Sequence, residues 1–238
     1  MEKILLLTRR EIASYFVSPI AYVAMALFLV VTGFFFAVFD FRSGAPAAMR
    51  SIFEIMMLVL ILIIPILTMR SLAEERRTGT IESLLTAPVT DTQVVLAKFL
   101  GSWLFYLAML APTLLYLGLL AAFGNPEYGP IAAGYVGLAL LGMLYVAMGV
   151  LGSSLTSNQI IAAVTSFVIL LLLSFLGPIA VPSVPQPWRE IIRQATVRAH
   201  YADFSQGVVD LVHVIYFVSM TVYALFFTVK VLESRRWR

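Results

Sequence analysis

The 238-residue sequence contains no cysteine and few charged residues. Without cysteine the chain can form neither disulfides nor thiolate metal sites. Only 12% of the residues are charged, whereas soluble domains carry roughly 25%. Hydrophobic residues make up 61% of the chain. This balance excludes an ordinary soluble protein and indicates a chain that lies mostly within a lipid bilayer.

The sequence also lacks the motifs of several enzyme classes. None of its three lysines follows the glycine pattern of a P-loop, so we expect no nucleotide site in this chain. The H-E-x-x-H motif and the G-x-S-x-G motif are both absent, and the two histidines are far apart in sequence. The sequence therefore offers no set of catalytic residues that would support an intramembrane enzyme.

Ionisable residues are nearly absent from the apolar runs. Glu54 and His213 are the exceptions, and an ionisable group within a membrane is a functional candidate by default. Both lie near the end of a run, where reaching water costs little, and we expect both side chains to do so. This distribution argues against an ion pump with a buried carboxylate relay.

Apolar runs of about 20 residues recur along the chain, and each can cross the hydrocarbon as an α-helix. We predict an all-α integral membrane protein with six transmembrane helices, at residues 18–39, 52–69, 94–123, 131–155, 160–181 and 211–229. No polar stretch exceeds about 30 residues, so residues 1–238 are expected to form a single transmembrane domain. The first run is too long for a signal-peptide core, and we expect no cleavable signal.

A hairpin is predicted between the fourth and fifth spans. The chain carries no charge from Tyr128 to Trp188, and one helix of that length would measure about 90 Å, three times the hydrocarbon thickness. The polar cluster at residues 153–159 is the place where this stretch can turn back.

Two short segments show amphipathic patterns. In residues 2–16, one helical face carries Ile4, Leu5, Ile12, Tyr15 and Phe16, and the opposite face carries Lys3, Arg10 and Ser14. Glu11 blurs this pattern. Such a helix normally lies in the membrane interface, and the alternative is the start of the first span. Residues 188–199 predict a second amphipathic helix, between spans five and six.

The connection between spans two and three, residues 70–93, is the most polar part of the chain. Gly79 is predicted to break a first helix, and residues 81–86 can form a short second helix that Pro88 ends. Thr90 and Gln93 then form a capping box that starts span three. Ile81, Leu84 and Leu85 form an apolar face that an isolated short helix cannot bury, which favours a docked protein partner over a solvated loop.

The lysine and arginine distribution predicts the orientation. With the N-terminus inside, one side holds Lys3, Arg9, Arg10, Arg70, Arg76, Arg77, Lys98, Lys230, Arg235, Arg236 and Arg238, and the other holds Arg42, Arg50, Arg189, Arg193 and Arg198. The bias of eleven to five places both termini and the connection at residues 70–93 in the cytosol. Because these basic residues flank apolar runs, topology accounts for them and nucleic-acid binding is not expected.

Three stretches resemble the ABC-2 type permease subunits of ABC transporters. These are MRSLAEERRTGTIESLLTAPVTDTQVVLAKF after span two, the opening LTRREIASYFVSPIAYVAMALFLVVTGFFF, and the ending YADFSQGVVDLVHVIYFVSMTVYALFFTVKVLESRRWR. Within that family the GldF/NosY-like branch, which includes a gliding-motility permease, is the most similar. The resemblance implies a type V exporter-like fold with an N-terminal amphipathic helix, a cytosolic coupling helix and outer short helices at residues 185–205.

The resemblance also implies a function and its partners. Such a permease exports a substrate across the bacterial inner membrane, while ATP and Mg are bound by a separate cytosolic ABC ATPase and no cofactor is bound by the permease. ATPase docking carries over to Glu74, Glu75, Arg76, Arg77, Gly79, Thr80, Ile81, Glu82, Leu84 and Leu85. A second permease subunit, membrane lipids and a periplasmic auxiliary subunit complete the implied partners, and the substrate is not indicated.

Two alternatives stay open at this stage. The first is a non-transporting membrane anchor or scaffold of an envelope or motility machine. The second concerns the glycines of span four, Gly134, Gly137, Gly142, Gly149 and Gly152. Small residues allow close helix approach, which serves either a permease dimer or packing within one chain.

Overall fold

The computed structural model describes residues 2–41, 49–79 and 89–236, and within these ranges every regular element is helical. The helices are α1 (Glu2–Val17), α2 (Pro19–Phe35), α3 (Arg50–Thr68), α4 (Ala73–Arg77), α5 (Asp91–Leu110), α6 (Leu114–Phe123), α7 (Tyr128–Leu155), α8 (Gln159–Ala180), α9 (Trp188–Ala195), α10 (Val197–Ser205) and α11 (Leu211–Arg236). A π-helical turn extends α2, a 3₁₀ turn joins α5 to α6, and another extends α8.

Six helical runs are long and apolar enough to cross a membrane, which confirms the predicted all-α membrane fold. They are Pro19–Asp40, Arg50–Arg77, Asp91–Phe123, Tyr128–Leu155, Gln159–Ser183 and Leu211–Ser234. Most runs extend beyond the predicted bounds, because backbone hydrogen bonding continues past the last apolar side chain.

The two central helices of the bundle are α3 and α7. In the most apolar part of each, 61% of the residues are buried, against 22% for α2 and for α11. On α3 the buried residues Met56, Leu60 and Ile64 recur every four positions, which places them on one helical face. The outer helices instead expose large apolar side chains such as Val222 and Phe226, as expected for a surface that faces lipid.

The glycines of α7 serve packing within the chain. A Cβ atom added at Gly134 would overlap the ring of Phe53 on α3, and one at Gly142 would overlap the ring of Tyr106 on α5. The other three face Phe204, Thr68 and Ser166 in the same way. Small residues here let four neighbouring helices, α3, α5, α8 and α10, approach α7 closely, and the surface they form is already occupied.

Several predicted boundaries are confirmed, and one is wrong. Ser18 is extended between α1 and α2, so α1 is a separate helix and not the start of span one. The hairpin falls between Leu155 and Gln159, where the Asn158 side chain accepts hydrogen bonds from the first amides of α8. The predicted helix at 188–199 is two helices, because Thr196 adopts an extended backbone conformation between α9 and α10.

Candidate functional site

The candidate site is the elbow at which α3 ends and α4 begins. Helix α3 stops at Thr68, a turn at residues 69–72 follows, and α4 runs from Ala73 to Arg77. Gly79 has a φ of 71°, a left-handed conformation that glycine adopts without strain, and it closes this helix as predicted. The elbow is therefore built at the base of the polar connection between the second and third spans.

One hydroxyl group on α7 holds the elbow together. Ser153 is fully buried, and its Oγ accepts hydrogen bonds from the backbone amides of Leu72, at 3.0 Å, and Ala73, at 3.1 Å. The same hydroxyl donates to the carbonyl of Met69 at 3.1 Å. Helix ends leave amides and carbonyls without partners, and here a side chain from another span satisfies both ends at once.

A buried ion cluster joins α4 to α1 and α5. The Nζ atom of Lys98 lies 2.7 Å from Glu75 Oε1 and 3.0 Å from Glu11 Oε1. The lysine side chain is only 4% exposed, and the two carboxylates are 14% and 16% exposed. Arg10 lies 3.9 Å from both carboxylates and balances the second negative charge. Three helices that are distant in sequence thus share one charge-neutral cluster.

Close packing reinforces the contact between α1 and α5. A Cβ atom at Gly101 would lie 2.6 Å from the Cβ of Glu11, so the absence of a side chain allows the two backbones to approach. Tyr15 stacks on Phe105 with ring centroids 5.0 Å apart, and its hydroxyl lies 2.8 Å from Ser102 Oγ. Burial raises the pKa of Tyr15, which keeps this hydroxyl protonated and hydrogen-bonded.

The start of α5 follows the predicted capping box. The side chain of Thr90 accepts from the amide of Gln93, and the side chain of Gln93 accepts from the amide of Thr90. This reciprocal pair fixes the direction in which the chain re-enters the bundle after residues 80–88.

The proposed docking residues fall into two groups. Glu74, Glu75, Arg76, Arg77 and Gly79 belong to α4 and its end, whereas Thr80, Ile81, Glu82, Leu84 and Leu85 lie outside the described residues. Glu75 turns inward to Lys98, while Glu74 lies 3.9 Å from Arg70 at the surface and Arg77 is exposed. A half-open cavity of about 550 Å³ separates α1 from the elbow, lined by Arg10, Ser14, Arg70 and Glu74 among others.

Sequence reasoning missed three residues that build the elbow: Glu11, Lys98 and Ser153. Glu11 interrupts the apolar pattern of α1, and an acidic residue at such a position is itself a sign of a buried partner. Lys98 follows the first two turns of α5, inside the third span. Nothing local distinguishes Ser153 from its neighbour Ser154, because its role depends on a backbone 80 residues earlier in the chain.

At the opposite end of the bundle, Glu54 and His213 both have partners. Glu54 lies 3.6 Å from Arg198 of α10, with both side chains nearly half exposed. His213 contacts Asp203 and His200. Among the described residues, no group of three or more His, Asp or Glu side chains is arranged to hold a metal ion.

The comparison with protein families identifies the elbow as part of a known architecture. Residues 49–196, which include every helix from α3 to α9, match the model of the ABC-2 family transporter protein family. The chain belongs to the ABC-2 transporter family. The elbow therefore lies in the connection between the second and third membrane spans of an ABC-2 family protein.

A curated relative of this ABC-2 permease occurs in two strains of Escherichia coli, K12 and O157:H7. In both it is named probable multidrug ABC transporter permease YbhR, and it is 28% identical over 144 residues. The match covers 60% of this chain and 39% of the relative. The aligned part of the chain thus corresponds to about two fifths of that longer permease.

Proposed function

We propose that this chain is the permease subunit of an ATP-driven exporter in the bacterial inner membrane. A cytosolic ABC ATPase would bind ATP and Mg and dock on residues 79–85, and this chain would bind no cofactor. Residues 1–238 would form one permease domain that pairs with a second permease subunit. Membership of the ABC-2 family supports this proposal, as does the permease name of the Escherichia coli relative.

The observation that carries the mechanism is the anchoring of α4 from three sides. Lys98 and Glu11 hold it to α5 and α1, and Ser153 holds its first turn to α7. A force applied to residues 79–85 by a closing ATPase would reach α4 first. Because α4 cannot move without these partners, the force would rotate α1, α5 and α7 together, as in rigid-body closure around a hinge.

The proposal also covers the class of substrate and the branch of the family. The YbhR relative is named a multidrug permease, which supports an apolar organic substrate, whereas the opening and ending segments resemble the GldF/NosY-like branch. A scaffold in that branch would assemble with its ATPase without moving a substrate. Reconstitution of the permease and its ATPase in liposomes distinguishes a transporter from a scaffold. Only a transporter changes the amount of a fluorescent lipophilic cation inside the liposomes when ATP is added.

Docking is tested by replacing Leu84 and Leu85 together with aspartate. Each leucine, if fully buried against the ATPase, contributes roughly 1.5–3 kcal/mol, so the double change should weaken binding by at least about a hundredfold. The matched control replaces Thr78 and Thr92 with aspartate, which adds the same charge to the same connection at exposed residues outside the proposed docking set. Co-purification with the tagged permease measures the result. Unchanged ATPase recovery with the leucine variant would show that docking occurs elsewhere.

Single cysteines test the orientation, since the chain has none of its own. Cysteines at Ser43 and Gln186 are expected to react with an impermeant maleimide on intact spheroplasts, and a cysteine at Thr78 is expected to react only after lysis. This result follows from the eleven-to-five bias of basic residues. Labelling of the Thr78 variant on intact spheroplasts would show that the orientation is the reverse of the predicted one.

A further inference from the structure

The two histidines of the chain meet at the end of the bundle opposite α4. His200 on α10 and His213 on α11 approach through their Nδ1 atoms at 2.7 Å. The Nε2 of His200 lies 2.7 Å from the backbone carbonyl of Gln194, and the Nε2 of His213 lies 2.7 Å from Asp203 Oδ2. These four groups form one continuous chain of short hydrogen bonds that crosses from α9 through α10 to α11.

The number of protons in this chain follows from its two ends. A carbonyl and a carboxylate only accept hydrogen bonds, so both Nε2 atoms must carry hydrogen. The contact between the two Nδ1 atoms needs one more hydrogen, because two lone pairs at 2.7 Å repel and two N–H groups clash. The two rings together therefore hold three protons, which is one more than two neutral imidazoles hold.

We propose that His200 and His213 form a binding site for a single proton, which fastens the outer helices α9 and α10 to α11. The bound proton bridges the two rings, and its positive charge is balanced by Asp203. Tyr216 closes the site, since its ring stacks on His200 at 3.9 Å and its hydroxyl donates to the carbonyl of Ala195 at 2.7 Å.

The surroundings assign the charge within the pair. Burial lowers the pKa of His200. Asp203 Oδ2 lies against the other ring, that of His213, so the counterion of the bound proton sits on that side of the pair.

The other charged groups nearby are already engaged. Arg198 pairs with Glu54 of α3, Arg193 pairs with Glu190 within α9, and Asp210 accepts from the amide of Val212. None of the charged side chains in these pairs contacts either histidine ring, whereas Asp203 does. Helix α7 packs against α10 through an uncharged contact, that of Gly137 with Phe204.

The two rings stay hydrogen-bonded to each other only while the site holds one bridging proton. Addition of a second proton brings two N–H groups together, and loss of the bridging proton brings two lone pairs together. Because the pKa of folded His200 is lowered, the stability from its neutral form is complete above the unfolded pKa of about 6.5 and is lost as the pH falls below it. The attachment of α10 to α11 is therefore expected to follow a bell-shaped pH profile, whose two limits belong to the pair.

The chain suits a direct measurement, since it has two histidines and no cysteine. In detergent-solubilised protein labelled with ¹⁵N-histidine, we expect three protonated ring nitrogens and one unprotonated Nδ1 near neutral pH. A cysteine pair at Arg193 on α9 and Val218 on α11, labelled with spin probes, reports whether the outer helices stay attached to α11. Its distance distribution should be narrow at intermediate pH and broaden on both sides.

Variants of two nearby aspartates distinguish titration of the histidine pair from a general loss of stability in acid. Asp203→Asn removes the counterion and should lower the pH at which the bridging proton is lost by about 1 unit or more. Asp210→Asn, which removes only a helix-capping carboxylate, should leave that pH unchanged. His200→Phe keeps the ring against Tyr216 and should abolish the bell shape in a folded protein. Two histidines that titrate independently, or equal effects of the two aspartate variants, would overturn the proposal.

Discussion

Replacing Lys98 with methionine is expected to destabilise the protein by about 3–5 kcal/mol, the usual cost of breaking a buried ion pair from one side. The methionine fills the space of the lysine stem but leaves Glu11 and Glu75 facing each other without the buried cation, with the exposed Arg10 3.9 Å away. The two carboxylates would separate, and α1 and α4 would both lose their attachment to α5. Unfolding of the purified protein in mild detergent, followed by tryptophan fluorescence, measures the loss.

The chain contains a matched control for Lys98. Lys230 also lies 2.7 Å from a carboxylate, that of Glu233, but its side chain is 55% exposed. Lys230→Met should cost less than about 1 kcal/mol, because exposed pairs are screened by water. Adding Glu11→Gln and Glu75→Gln to Lys98→Met should recover much of the stability, since no buried charge then remains unpaired and Arg10 is exposed to water. Equal costs for the two lysine variants would contradict a buried cluster.

Replacing Ser153 with alanine is expected to uncouple α7 from the elbow. The change leaves two backbone amides and one carbonyl without their partner, and each unsatisfied buried group costs about 1–3 kcal/mol. If α4 passes force to α7 through this hydroxyl, ATPase activity should continue in the complex while transport per ATP hydrolysed falls severalfold. Ser153→Thr, which retains the hydroxyl, should restore much of the coupling ratio.

The adjacent Ser154 provides the control for this experiment. It is equally buried, but its hydroxyl donates only to Leu151 within the same helix. Ser154→Ala should therefore leave the coupling ratio unchanged. A purely structural role for Ser153 would reduce the amount of folded protein without changing transport per ATP, and that outcome would refute force transfer through α7.

Features that depend on neighbouring residues in the chain were predictable. The six spans, the cap formed by Thr90 and Gln93, and the break at Gly79 were each predicted from residues within a few positions of one another. Hydrophobic length, side-chain capping and a left-handed backbone are local properties, so one sequence is enough to identify them. The same reasoning erred at residues 188–199, where Thr196 breaks an otherwise continuous amphipathic pattern.

Family membership followed from a pattern of residues in the connection at 70–93, and it entails the arrangement of spans on either side. The partners of Lys98 and Ser153 could not be found in this way. Glu11 and Lys98 are 87 positions apart, and Ser153 is 80 positions from Ala73. Which residues meet across such separations depends on how six helices pack, and no local propensity encodes that packing.

The amino-acid sequence was sufficient to establish a six-span membrane protein of the ABC-2 type, because the bilayer demands long apolar helices and basic residues mark their ends. The folded bundle was needed to show that the α7 glycines contact neighbours within the chain, that α4 is anchored from three sides, and that His200 and His213 meet through their Nδ1 atoms. These features arise where helices cross, and a crossing is defined by the shapes and charges of both surfaces together.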